Sequence, residues 1–472
     1  MRSRPVLIEE ETPVPAPPTS IWGSALRTTT VGLVIVVTLV AFEAVAVSTA
    51  LPTAARDLHG LAAFGWAYTG FLLANVVGLV LSGMLCDSRG ARVPLGAGLV
   101  VFTTGLLVAG TATVMPVLVI GRVVQGLGGG LVLTALYVVI GQAYPERLRG
   151  QVFAATSSAW VVPSLVGPLI AGALAQHVSW RAVFLGLAPF VVLGGVLLVP
   201  VLRTLRGGTH QDGRLADPRR LLHALLLAAA IAVLEQAGQH PSLWLIAPAV
   251  AGVAALWWGL RRLVPRGTLV VAPGVSAPIA LRGLMAGAFF GMESIVPLSM
   301  SEQHGYGATA AGLPLAVSGV AWAVGSWWQG RTSDEGRPRR RRVLIRVGFT
   351  LVAVAAAAMA VAVVPSVPGW AVFLAWLPAG LGAGLTMSSV GVLMLAFTTD
   401  ADRGGDSAAL QLADVTVSAV TTGIGGVLVA AAGDGRIDST TAFVTIFALM
   451  AAVAGVGSLL SGRARPPAGS VR

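Results

Sequence analysis

Five polar side chains interrupt long apolar runs in this 472-residue chain, and any chemistry must pass through them. Glu43 lies in the run from Val31 to Leu51, and Arg122 and Gln125 in the run 116–140. Glu293 lies in 277–300 and Asp414 in 406–432. Roughly 20 apolar residues cross a bilayer as a helix, at ~1.5 Å per residue. An ionised side chain inside such a run costs a few kcal/mol, so by default it marks a cavity, a partner or an ion path. A carboxylate there can exchange a proton or hold a cation. Arg122 stays charged at any working pH, so it needs a partner, a cavity or a snorkelling path to the outer interface. For Glu293 a structural hydrogen bond to a facing helix is the alternative, and Asp414 can face a cytoplasmic vestibule. Glu43, Gln125, Glu293 and Asp414 are the expected substrate-cavity residues.

Missing residue types exclude several other chemistries. All 31 basic residues are Arg, with no Lys anywhere. A P-loop needs a Lys at the phosphates, and a Schiff-base enzyme needs an amine. The single Cys86 allows no internal disulfide. His59, His177, His210, His223, His240 and His304 have no i,i+3 or i,i+4 pairing, so no metal site is expected. We expect no cofactor and no enzymatic activity.

The elements that must position these residues are spanning helices. Hydrophobic residues make up 55% of the chain and charged residues 11%, against about a quarter charged in soluble domains. The expected fold is an all-α integral membrane protein of two six-helix bundles related by pseudo-twofold symmetry, plus a two-helix insert. That gives fourteen transmembrane helices, or twelve if the insert does not span. The predicted spans are 28–51, 65–86, 93–112, 116–140, 151–173, 182–202, 221–238, 243–262, 277–300, 308–329, 343–364, 370–396, 406–432 and 439–461. The expected organisation starts with a disordered cytoplasmic tail (1–27), the N-terminal bundle (28–202) and a cytoplasmic loop (203–220). The insert (221–262), a connector (263–276), the C-terminal bundle (277–461) and a cytoplasmic tail (462–472) follow. Glu235 of the insert is expected near the outer surface.

Arginine placement orients the chain. With both termini cytoplasmic, 26 of the 31 arginines fall inside and only Arg56, Arg181 and Arg436 outside, leaving Arg122 and Arg282 in or at helices. The run Arg337-Pro338-Arg339-Arg340-Arg341-Arg342 directly precedes a span, where a basic cluster serves orientation and anionic-lipid contact rather than nucleic acid. The expected location is the plasma membrane, multi-pass. Small-molecule substrate, protons and lipid bilayer are the expected partners of a monomer that binds no nucleic acid.

The halves repeat. Gly83, Asp87 and Arg92 recur as Gly330, Asp334 and Arg339 at an offset of 247. Gln125 to Leu131 recurs as Ala379 to Leu385, and Arg149-Gly150 as Arg403-Gly404, at an offset of 254. Glu293 follows Glu43 by 250, and Trp376 stands where the repeat of Arg122 would fall. A parallel repeat is one of the two symmetric plans of secondary transporters. In the Gly83 to Arg92 loop, Asp87 and Arg92 can make a charge-assisted bond across the turn or to a neighbouring helix end. Gly83, Asp87, Arg89, Gly90, Arg92, Gly330 and Asp334 form the expected cytoplasmic latch. Trp322, Trp327, Trp328 and Trp376 are candidates for an aromatic pocket.

This loop resembles the signature between helices 2 and 3 of the major facilitator superfamily. Leu118 to Gly128 resembles its helix-4 motif, and Gly167-Pro168-Leu169-Ile170-Ala171-Gly172 its helix-5 antiporter motif. Glu43 through Leu51-Pro52 is similar to the helix-1 motif of the fourteen-span drug/proton antiporter branch. Glu43 stands where Asp is more usual, and Pro163 and Ala171 where Gly is. The resemblance implies that Glu43, Arg122 and Glu293 couple protons to transport, with Gly167, Pro168 and Gly172 on a sliding helix. It further implies proton-coupled export of amphipathic small molecules, drugs or secondary metabolites, by alternating access. Export of lipids or lipid-linked molecules on the same fold is the alternative.

Overall fold

Apolar runs in lipid must satisfy their backbone hydrogen bonds internally, which leaves the helix as the local solution. The computed structural model describes residues 18–60, 63–205, 218–239, 243–331 and 338–466. Asp334 and most of the expected N-terminal tail lie outside the described residues. The helices are α1 (Arg27–Asp57), α2 (Phe64–Arg89), α3 (Arg92–Gly110), α4 (Met115–Ala143), α5 (Glu146–Ser158), α6 (Val161–His177), α7 (Arg181–Thr204), α8 (Pro218–Gln239) and α9 (Leu243–Leu263). They continue as α10 (Ser276–Glu293), α11 (Val296–His304), α12 (Ala308–Gly330), α13 (Pro338–Ala362), α14 (Ala371–Phe397), α15 (Arg403–Gly433) and α16 (Ser439–Leu460).

Among the described residues, twelve segments are long and apolar enough to cross a membrane. The insert helices α8 and α9 are not among the twelve. They pack on each other and, through α8, on α2 and α15. Two expected spans are broken rather than continuous. The fifth is α5 followed by α6, with the break at Ala159-Trp160, and the ninth is α10 followed by α11, with the break at Ser294-Ile295. The second break falls directly after Glu293.

Glycine spacing sets the packing of each bundle, and the repeat is visible in the contacts. A Cβ on Gly126 of α4 would overlap the Phe71 carbonyl of α2, and one on Gly380 of α14 would overlap the Ser318 carbonyl of α12. Gly130 lies against Asn75 in the same way that Gly384 lies against Trp322. Phe71 and Ser318, like Asn75 and Trp322, are 247 apart, matching the loop repeat. Close helix approach through small residues is how membrane helices gain van der Waals contact without a hydrophobic drive.

Arginine-rich turns gather at one face of the molecule. Arg147 donates to the Pro18 carbonyl at 2.6 Å, and the Thr30 and Tyr144 hydroxyls meet at 2.8 Å, so the start of α1 sits beside the end of α4. Arg463 donates to the Val270 carbonyl at 2.7 Å, which brings the end of α16 to the same end of the second bundle as the start of α10. Burial in the turn after α4 pushes the Tyr144 phenol up to about 12.

The bundles are tied together on this Arg-rich side. Gly83 of α2 packs on the Gly404 carbonyl and Ala408 of α15 at 2.9 and 2.8 Å from its would-be Cβ. Gly330 of α12 packs on the Gly150 carbonyl and Ala154 of α5 at 2.9 Å each. These are one contact used twice, because 83 and 330 are 247 apart while 150 and 404, like 154 and 408, are 254 apart. Gln329 donates to the Gly150 carbonyl at 3.0 Å, and the Ser157 and Ser388 hydroxyls lie 3.3 Å apart.

Candidate functional site

Glu43 projects from α1 toward α4 and is 1% exposed. Arg122, 4% exposed, donates through Nη1 to Glu43 Oε1. Gln125, one turn along α4, closes a triangle. Its Oε1 accepts from Arg122 Nη1 at 3.3 Å, and its Nε2 donates to Glu43 Oε1 at 3.4 Å. Arg122 therefore does not snorkel to the outer interface; its partner is inside the bundle.

The glycines of α4 make this possible. Gly121, Gly126 and Gly128 let α3 and α2 close on α4 from two sides, at Ala109, Phe71 and Phe102. Arg122 then donates through Nε to the Ala67 carbonyl at 3.3 Å and lies over the Phe71 ring at 4.3 Å. Those contacts hold the guanidinium independently of Glu43. On Glu43, Oε2 is buried without a hydrogen-bond partner among the described residues. A proton on Glu43 and a full ion pair with Arg122 exclude each other, so the site can exist in two electrostatic states on one scaffold. From α6, Gly167 and Gly172 face Val45 and Thr49 of α1 at 3.2 and 4.0 Å from their would-be Cβ atoms. The Pro168 side chain lies outside the described ones.

A second ion pair, half-buried, sits in the C-terminal bundle. Arg282 of α10 donates through Nε to both Asp414 oxygens at 2.8 Å, and its Nη2 lies 2.6 Å from Oδ2. Nη1 donates to the Met387 carbonyl of α14 at 3.1 Å, and the guanidinium also hydrogen-bonds the Tyr137 phenol of α4. Asp414 is thus bound to an arginine to which sequence reasoning gave no role. The same signal that marked Arg122, a charge inside an apolar run, marks Arg282.

Glu293 differs from both. Among the described residues it has no hydrogen bond or ion pair, and it ends α10 in a partly exposed position. It does not meet Glu43 or Arg122. One turn before it on α10, Phe289 and Phe290 join Trp322 and Trp376 in one aromatic cluster. Trp327 and Trp328 are not part of it; they are 51% and 59% exposed, and Arg331 covers the Trp327 ring at 3.7 Å.

Of the expected latch residues, Asp87 makes a bond between the bundles. Asp87 accepts from the backbone N–H groups of Gly404 and Gly405 at 2.6 and 2.9 Å, at the start of α15. Arg92 is exposed and does not bond Asp87, so the bond runs to a neighbouring helix end rather than across the turn. Arg89 is exposed in the last turn of α2, and Gly90 takes the positive φ of 81° that ends the helix. A cavity of about 300 Å³, with Met84, Asp87, Arg220, Arg262, Asp402 and Asp406 in its wall, lies beside this latch and away from Glu43.

Residues 33–375 match the Major Facilitator Superfamily. The chain is 33% identical over 247 residues to MFS transporter L2 of Phoma sp., covering 52% of this chain and 39% of that protein. It is 30% identical over 176 residues to the multidrug transporter protein MdtP of Bacillus subtilis, covering 37% and 32% respectively. The chain therefore spans well under two thirds of these relatives. The crystal structure of the human organic anion transporter MFSD10 superposes with a TM-score of 0.65 at 14% identity, covering 92% of this chain and 98% of that one. Twin glycine-packed bundles, a repeated latch and a sequence match over most of the length agree: the chain belongs to the Major Facilitator Superfamily, a family of transporters rather than enzymes.

Proposed function

We propose that this chain is a proton-coupled secondary active exporter of amphipathic small molecules, such as drugs or secondary metabolites. It works by alternating access in the cytoplasmic membrane, with both termini inside and α8 and α9 as additional spans. The observation that carries this reading is the buried Glu43–Arg122–Gln125 triangle with one carboxylate oxygen unpartnered. Coupling needs a group whose charge changes without loss of the fold. Glu43 supplies that group, and the independent anchors of Arg122 on Ala67 and Phe71 keep the site assembled when Glu43 is neutral. The ties on the Arg-rich side describe a state closed there, from which Glu43 would exchange protons with the opposite side. The name of the Bacillus relative, a multidrug transporter, supports drugs as the cargo.

The test is proton flux in proteoliposomes carrying an internal pH dye and an imposed gradient, challenged with a panel of cationic and neutral amphiphiles. At least one compound should raise proton flux, and Glu43→Gln should cut that flux by about tenfold or more while the protein elutes as a folded monomer. Undiminished flux in the Gln variant removes Glu43 from coupling.

A further inference from the structure

The two bundles treat their membrane acids differently. In the N-terminal bundle a guanidinium from α4 meets Glu43. At the matching position of α14, 254 residues on, stands Trp376, fully buried and stacked on Phe289 at 5.3 Å and 23°. Where α2 has Asn75, α12 has Trp322 at the 247 offset, packed on Gly384 as Asn75 is on Gly130. Trp322 meets Phe289 edge-on at 5.0 Å and 80°, and Phe290 at 6.1 Å and 37°. Phe289 and Phe290 precede Glu293 by four and three residues, so they share its face of α10.

Aromatic faces therefore stand where the first bundle has a cation and an amide. Glu293 has no partner among the described residues, so its carboxylate is available to a cation that they do not supply. A small inorganic cation would need several oxygen ligands in a shell. The surroundings offer rings instead, whose negative faces attract weakly hydrated organic cations.

We infer that Glu293, Phe290 and Trp322 form the subsite for the cationic head of the substrate, an organic ammonium, backed by Phe289 and Trp376. This rests on the transport reading above and divides its labour. Glu43, already paired inside the protein, serves the proton, and Glu293 serves the substrate. The break between α10 and α11 directly after Glu293 ends the helix at this subsite.

The experiment is equilibrium binding of radiolabelled benzyltrimethylammonium to the purified full chain with no gradient imposed. Saturable binding is expected, with the uncharged carbon isostere neopentylbenzene competing about tenfold more weakly or worse. Glu293→Gln and Trp322→Leu should each weaken binding about tenfold or more, and Glu293→Asp should restore part of it. Trp327→Leu, outside the cluster, should bind as wild type. Absence of saturable binding, equal competition by the neutral isostere, or wild-type binding by Glu293→Gln overturns the inference. Charge-selective binding without gradient-driven flux would defeat the proton-coupling reading and leave this subsite standing.

Discussion

Asp87 holds the backbone N–H of Gly404 at 2.6 Å, so a side chain of one bundle caps the first turn of a helix in the other. A carboxylate at a helix N-terminus gains from both the orphan N–H groups and the helix dipole. The bond crosses between the bundles, so under the proposed alternating access it acts on the equilibrium between conformations rather than on the fold of either bundle.

Asp87→Asn keeps an acceptor but removes the charge, which is worth about 0.3–2 kcal/mol at such a terminus. The population open on the Arg-rich side should rise severalfold. Spin-label distances between α2 and α15 on that side should report the change, and an unaltered distance distribution would rule out a latch role.

The glycines of the latch and of the bundles should fail in different ways. A Cβ on Gly330 would press on the Gly150 carbonyl and Ala154 at 2.9 Å, so Gly330→Ala should open the Arg-rich side with little loss of melting temperature. Gly126→Ala would drive a methyl into the Phe71 carbonyl within one bundle and should cost about 1–3 kcal/mol of stability. Gly65 has nothing within 4 Å of its would-be Cβ, so Gly65→Ala should melt as wild type. Thermal unfolding in detergent, beside the distance measurement, separates the three.

Arg282 and Asp414 should behave as a coupled pair. Truncating one leaves the other as an uncompensated charge, which costs about 3–5 kcal/mol in a buried setting. Arg282→Leu should therefore destabilise strongly, and the double variant Arg282→Leu/Asp414→Leu should recover much of the loss. A double-mutant cycle on the unfolding transition reads this directly. Additive losses would show that the pair does not interact energetically.

On the face opposite the latch, Asp57 accepts from Trp180 Nε1 at 2.9 Å and from Arg181 Nη1 at 3.0 Å. The Trp180 hydrogen bond, then that of Arg181, holds its carboxyl below the ordinary 3.8. A group depressed in the folded state stabilises at pH above its unfolded value and loses that contribution as pH falls through its folded value. Acidification below about pH 4 should loosen the α1–α7 contact, and Asp57→Asn should remove that acid step from a pH series of melting curves.

The sequence by itself determined the class and the internal plan. Apolar runs with almost no charge can only be membrane helices, and the offsets of 247 and 254 reappear as matched glycine contacts in both bundles. Local composition suffices for this, because each helix satisfies its own backbone and the glycines repeated at those offsets sit at close approaches. Glu43, Arg122, Glu293 and Asp414 were legible as costly charges for the same reason.

Their partners were decided by the tertiary structure. Glu43 and Arg122 are 79 residues apart, and Arg282 and Asp414 are 132 apart. Helical period places each on a face of its own helix, but does not say which helix that face will meet. The breaks at Ala159-Trp160 and Ser294-Ile295 each precede a proline, Pro163 and Pro297, whose missing N–H cannot bond the carbonyl four residues back, of Ala159 and Glu293, while the apolar pattern runs through both. Two tryptophans on other helices occupy the places of an arginine and an asparagine, and Glu293 has no partner among the described residues. Spacing exposed the substitution of Arg122 by Trp376, but only packing shows that Trp376 and Trp322 both meet Phe289, because that depends on three helices converging.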